Sequence, residues 1–284
     1  MSPAPASRSY YGQPVLKAPV WKWYIPAYFF TGGIAAGTTL LATGARLSGD
    51  HRLARRCRFA AMGATAVSAG LLVKDLGRPA RFLNMLRVAK PTSPMSVGSW
   101  VLAAFGGATT VATAAHLVRL PRPLVDTAEA AAALLAPVLA TYTAVLIADT
   151  AVPAWHDAWR ELPFVFAGSA LASSGGIATL CSDSAAARRT AVAGAALELG
   201  AAQAMERRLG GRAPRSRLSK LATAATLSGG ALSLRRTTAK PGAILLLAGA
   251  AAQRFAIFHA GADSARDPSA TIDPQRQRLQ GLPL

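Results

Sequence analysis

The fold class this sequence predicts is an all-α, polytopic membrane helix bundle with about eight transmembrane helices, and three observations predict it. The chain is 52% hydrophobic and yet carries a formal net charge of +18. Its 31 Lys and Arg residues gather mostly in short clusters, such as Arg52, Arg55, Arg56, Arg58 and Arg207, Arg208, Arg212, Arg215, Arg217. Between the clusters lie long stretches nearly free of charge, and roughly 20 apolar residues suffice to cross about 30 Å of hydrocarbon. Basic loops alternating with apolar spans are how membrane chains are built. A nucleic-acid binder runs its basic residues along a groove beside a soluble core, so that class is excluded.

The first span, Tyr24–Ala45, opens on Trp21, Trp23 and Tyr24, whose amphipathic rings suit a membrane interface. Its Gly33 and Gly37, four apart, predict a close helix contact. The second, Phe59–Val73, follows the Arg52–Arg58 cluster and carries a similar small pair, Ala66 and Gly70. Ser93 and Ser96 can cap the third, Met95–Leu117. The fourth, Ala128–Ile147, runs toward Trp155 and Trp159, read as a second aromatic belt. The fifth to eighth are Leu162–Cys181, Thr190–Met205, Leu221–Leu234 and Gly242–Ala260. The second, sixth and seventh are shorter or more polar than the rest. All eight have charged or Pro/Gly-rich flanks, and helices satisfy the backbone in lipid without closing a barrel.

No soluble domain fits between these spans. The chain divides into a polar N-terminal segment (1–20), the transmembrane bundle (21–262) and a polar C-terminal tail (263–284) expected to be irregular. The first 19 residues are Pro-rich and lack the basic-then-apolar pattern of a cleaved signal, so the first span is expected to remain as an anchor. More Lys and Arg fall on the side of the N-terminus than on the other, which places both termini in the cytoplasm of a cell-membrane protein.

Charge at membrane depth is costly, so Glu198 in the sixth span and Arg254 in the eighth are functional candidates: a structural ion pair with each other, or a proton path. Cys57 and Cys181 are far apart with no CxxC, so the chain by itself holds no iron–sulfur cluster or other metal, and each reads as a small apolar filler. A haem b site needs paired histidines inside spans. His51, His116, His156 and His259 fall in loops or at span ends, so no haem is expected.

Specific strings appear at the N-terminal side. DLGRPARF (75–82) follows the second span and SPMSVGSW (93–100) opens the third, after a first span reading YFFTGGIAAGTTLL. With TYTAVLIADTAVPAW, LPFVFAGSALASSGG and AGADSARDP later on, these strings resemble the NrfD/PsrC family of polysulfide-reductase-type membrane subunits over most of residues 21–268. The resemblance implies a quinone-reactive subunit of a multi-subunit respiratory oxidoreductase. Such a subunit exchanges electrons between a membrane quinone, menaquinone or ubiquinone, and a docked ferredoxin-like iron–sulfur subunit. A catalytic subunit, often molybdopterin-dependent, is a further implied partner.

Quinone chemistry asks for hydrogen-bond donors to two carbonyl oxygens, a proton-passing group and an apolar slot. The resemblance puts Tyr142 at the family's quinone-contacting tyrosine, and a phenol donates while staying neutral in lipid. Tyr28 falls where the polysulfide reductase has a histidine. Asp75 is a proton relay or a cap for the loop through Arg78. Asp149, at the end of the fourth span, is a further proton-path candidate on the same side. Arg78 and Arg81 anchor the loop or attract an acidic partner. The alternative reading is a transporter or proton-translocating bundle without quinone chemistry, for which Glu198 and Arg254 would also serve. No inverted repeat with matching broken helices favours it.

Overall fold

A computed structural model of the chain describes residues 15–17, 19–78, 80–210 and 216–279. The basic residues Arg212 and Arg215, and Pro79 of the DLGRP string, lie outside the described residues. Among the described residues the structure is helical without strands: α1 Tyr24–Leu47, α2 His51–Asp75, α3 Ala80–Met85, α4 Pro94–Ala114, α5 Arg122–Ala148, α6 Pro153–His156, α7 Leu162–Cys181, α8 Ala185–Leu209, α9 Arg217–Ser233, α10 Ala239–Arg266 and α11 Pro268–Leu279. The eight expected spans coincide with α1, α2, α4, α5, α7, α8, α9 and α10. Five of these (α1, α4, α5, α7 and α10) are long and apolar enough to cross a membrane by length and composition. The three that fall short, α2, α8 and α9, are those the sequence marks as shorter or more polar.

Local chemistry sets the ends of these helices. The Asp50 carboxylate accepts from the Leu53 backbone N–H at 2.9 Å and starts α2. Ser93 caps α4, with Pro94 at the first helical position where its missing N–H is harmless. Ser96 is not a second cap. Its hydroxyl donates to the Val88 carbonyl and accepts from the Lys90 N–H, both at 3.0 Å, and so ties the preceding loop down. Ser216 and Ser219 form a reciprocal capping box at α9. Gly77, at φ +71°, turns the chain out of α2 in a conformation other residues adopt at a cost.

The helices form two groups, α1, α2, α4, α5 and α7–α10, joined where α1 packs on α7 and α10 and where α5 packs on α7. Gly37 makes that junction close: a Cβ there would lie 2.3 Å from the Ser174 hydroxyl oxygen, which donates to the Ile34 carbonyl. The other small pair behaves differently. Ala66 and Gly70 are exposed, with nothing within 4 Å of a Cβ at Gly70, so they face outward. The outward surface of the bundle is aliphatic, with Leu134, Leu227 and Ile244 each more than half exposed, as a lipid-facing belt requires. At one end, Arg208 clamps α8 to the start of α7 by donating to both Glu161 carboxylate oxygens, at 2.5 and 2.6 Å.

Three expectations are corrected. Trp155 belongs to no interfacial belt: it is 1% exposed, its ring stacks on Trp21 at 5.8 Å, and its indole N–H donates to the Ile257 carbonyl at 2.7 Å. A Cβ at Gly261 would lie 1.9 Å from this ring, so the glycine is a notch for it. Only Cys57 is a buried filler; Cys181 is exposed. The tail is not irregular, since α10 runs on to Arg266 and α11 follows after Asp267.

Candidate functional site

At the end of the bundle where α1 begins and α2 ends, a cleft of about 230 Å³ opens between α1, α2, α3, α4 and α5. Its walls are mainly apolar, with Ile25, Leu72, Met85 and Met95 among them. Three of the expected site residues meet here: Tyr28 from α1, Asp75 from the last turn of α2 and Tyr142 from α5. Tyr28 is 2% exposed, and its hydroxyl is buried without a partner among the described residues. A buried phenol left unpaired loses a hydrogen bond it would have in water, so such a group is a donor waiting for a ligand or an ordered water.

Tyr142 is positioned by what is missing opposite it. A Cβ at Gly98 would lie 2.1 Å from Cε2 and 2.9 Å from Cζ of the ring, so only a glycine on α4 lets the ring lie there. Beside it Ser99 lines the cleft, its hydroxyl donating back to the Met95 carbonyl at 2.9 Å. Asp75 is half-buried, and among the described residues its carboxylate makes no hydrogen bond to the loop through Arg78. Arg81 does anchor that loop, donating to the Leu76 carbonyl at 3.4 Å, whereas Arg78 is exposed. Lys74 lies over the rings of Trp23 and Tyr24 at the same end.

The other candidates lie apart from this cleft. Asp149 is exposed at the C-cap of α5 and does not line it. Glu198 and Arg254 are brought near each other in the second helix group, 3% and 1% exposed, close enough to attract electrostatically but without a direct ion pair. Arg254 instead donates to the Phe166 carbonyl at 2.8 Å and lies 3.6 Å over the Phe166 ring. Among the described residues, Glu198 Oε2, Arg254 Nε and Nη1, and the buried Ser169 hydroxyl have no hydrogen-bond partners. The backbone of α8 at Glu198 comes this close because Gly168 carries no side chain; a Cβ there would meet the Glu198 nitrogen at 2.3 Å.

Sequence reasoning missed two features. Gly98 stood inside a quoted motif, but its role depends on which helix faces it. Glu129, one residue inside the fourth expected span, joins a network of arginines at the far end of the bundle.

Comparison with protein families matches residues 13–206 to the family described as polysulphide reductase, NrfD. The chain belongs to the NrfD family. This is a family of membrane subunits of quinone-reactive oxidoreductases. The match covers α1 to α7 and nearly all of α8, and with them every residue of the cleft; the similarity expected for AGADSARDP lies beyond it. Comparison with curated proteins finds no match. An NrfD chain with several apolar helices is an integral membrane protein.

Proposed function

We propose that the cleft is a quinone oxidation and reduction site, and that this NrfD chain is the membrane anchor and quinone-binding subunit of a respiratory oxidoreductase. The observation that carries the reading is the buried, unpartnered Tyr28 hydroxyl in an apolar cleft shared with Tyr142 and Asp75. A quinone headgroup presents two carbonyl acceptors, and Tyr28 and Tyr142 offer two neutral donors. The Met and Leu walls accept the first units of an isoprenoid tail. Reduction adds two electrons and two protons to give the quinol. Asp75, half-buried at the rim, is the group that exchanges protons with water, while Asp149 stands outside the cleft and serves at most the approach to it.

The electrons come from or go to a cluster in a docked iron–sulfur subunit, with a catalytic subunit beyond it. The basic loop carrying Arg78, Arg81, Arg87 and Lys90 borders the cleft, so docking there brings the cluster within tunnelling reach. In this reading residues 21–262 are the working bundle and 263–284 an appendage, in the cytoplasmic membrane with both termini in the cytoplasm.

Tyr142→Phe is expected to leave assembly intact and lower turnover with quinone analogues about five-fold, the equivalent of one neutral hydrogen bond of about 1 kcal/mol. An unchanged rate would make Tyr142 a packing residue. A second test addresses docking. In a Cys57→Ala/Cys181→Ser background, Arg87→Cys and Arg207→Cys are expected to label from one and the same face of right-side-out vesicles, and the partner subunit is expected to protect Arg87→Cys. Labelling from opposite faces rules out the topology, and labelling indifferent to the partner rules out the docking face.

A further inference from the structure

The end of the bundle opposite the cleft carries an open vestibule of about 750 Å³, walled by the end of α1, the start of α2, the α4–α5 connection and the start of α5. Four arginines face it (Arg46, Arg58, Arg119 and Arg122) against two acids, Asp126 and Glu129. Both acids are already occupied. Arg46 pairs with Glu129 and reaches Asp126 at 2.5 Å, and Arg58 reaches the second Glu129 oxygen at 2.5 Å. His116 serves as an acceptor: burial, then Arg58 and Arg55, hold its imidazole below the usual range, and Nε2 accepts an N–H from Arg58 at 3.1 Å. Arg119 and Arg122 remain, exposed and without an ion pair or a side-chain hydrogen bond among the described residues.

We propose that this vestibule binds the phosphate headgroup of an anionic phospholipid, with Arg119 and Arg122 as its ligands. Guanidinium forks match phosphate oxygens two at a time, and the Arg46–Glu129–Arg58 network holds the wall rigid behind them. A lipid is chosen over a free anion because of what flanks the arginines: Leu117, Val118 and Leu124 are 76%, 55% and 48% exposed on the same connection and helix. Acyl chains cover such side chains, while an inorganic anion leaves them in water. Basic pockets between spanning helices, at the level where hydrocarbon meets water, suit headgroups of this charge.

The test titrates the purified full chain in neutral detergent with phosphatidylglycerol, phosphatidylcholine or inorganic phosphate, reading bound ligand by native mass spectrometry. Phosphatidylglycerol is expected to bind at least about tenfold tighter than phosphatidylcholine. Arg119→Ala/Arg122→Ala is expected to weaken it roughly thirtyfold, since each arginine near an anionic headgroup contributes about 1 kcal/mol. The double variant keeps every ion pair of the network, so its melting temperature without lipid serves as the folding control. Arg207→Ala/Arg217→Ala, which removes as much charge from the other end, is expected to leave phosphatidylglycerol binding unchanged. The proposal is overturned by equal binding of the two lipids, by undiminished binding in the vestibule variant, or by an equal loss in the remote variant. Inorganic phosphate binding as tightly as phosphatidylglycerol overturns the choice of a lipid.

Discussion

Gly98→Ala is expected to lower quinone turnover by about tenfold to a hundredfold while leaving the fold nearly as stable as before. The added methyl group would stand 2.1 Å from Cε2 of Tyr142, far inside contact distance. What meets it is a side-chain ring lining an open cleft and not a neighbouring backbone, so the ring yields and the helices stay. A displacement of about 1 Å at a reacting group can cost a hundredfold in rate. The control is Gly70→Ala, equally small but with nothing within 4 Å of its Cβ, for which no loss of turnover is expected. Gly98→Ala combined with Tyr142→Phe should be little worse than Gly98→Ala alone, because the hydroxyl is already misplaced. Steady-state quinol oxidation by the assembled complex, alongside its melting temperature, decides the matter. Unchanged turnover in Gly98→Ala would separate the ring from the chemistry.

The second large effect concerns stability. Arg254→Met is expected to destabilise the bundle by about 3 kcal/mol, because it removes a buried hydrogen bond and leaves the buried Glu198 without the positive charge near it. The substitution keeps an unbranched chain over Phe166 but removes the hydrogen bond to its carbonyl and the positive charge facing Glu198. Arg254→Met with Glu198→Leu is expected to be more stable than Arg254→Met alone, since two neutral side chains then share an apolar site. Reversible unfolding in mixed micelles gives the four corners of the cycle. Strictly additive losses would mean that the two residues do not sense each other, and Arg254 would be held by Phe166 alone.

The sequence showed most of the fold and about half of the cleft. Five of the eight long helices were visible as apolar runs, and α2, α8 and α9, which are more polar, through the charged or Pro/Gly-rich flanks that bound them; both signals are local. The same locality hid the tail: SARDPSATIDP reads as polar and Pro-interrupted, while Pro268 in fact opens α11 as its first residue. Tyr28, Tyr142 and Asp75 were singled out by resemblance, and three helices carry them into one cleft. Asp149, on the same side by topology, sits one residue past the last turn of α5, exposed and outside the cleft lining. What no single stretch could reveal is contact across helices: Gly98 against Tyr142, Gly261 under Trp155, Glu129 between Arg46 and Arg58. Glu198 and Arg254 show both limits. Their depth was plain from spacing alone, but Arg254 turns its fork to the Phe166 carbonyl, which no sequence pattern marks.

The pillar formed by Trp21, Trp155 and Gly261 has a bearing on how the molecule is made. Trp21 is a wall of the cleft, and it is held by stacking on Trp155, which is in turn seated in the notch of the last long helix and tied to its Ile257 carbonyl. Residues just ahead of α1 are thus fixed by residues of α10. A nascent chain that has inserted only its first seven long helices has Trp155 without its seat and the cleft without a settled wall. On the proposed reading of the cleft, its wall is complete only once α10 has packed against Trp155, so a chain cut short before α10 is expected to show no quinone turnover.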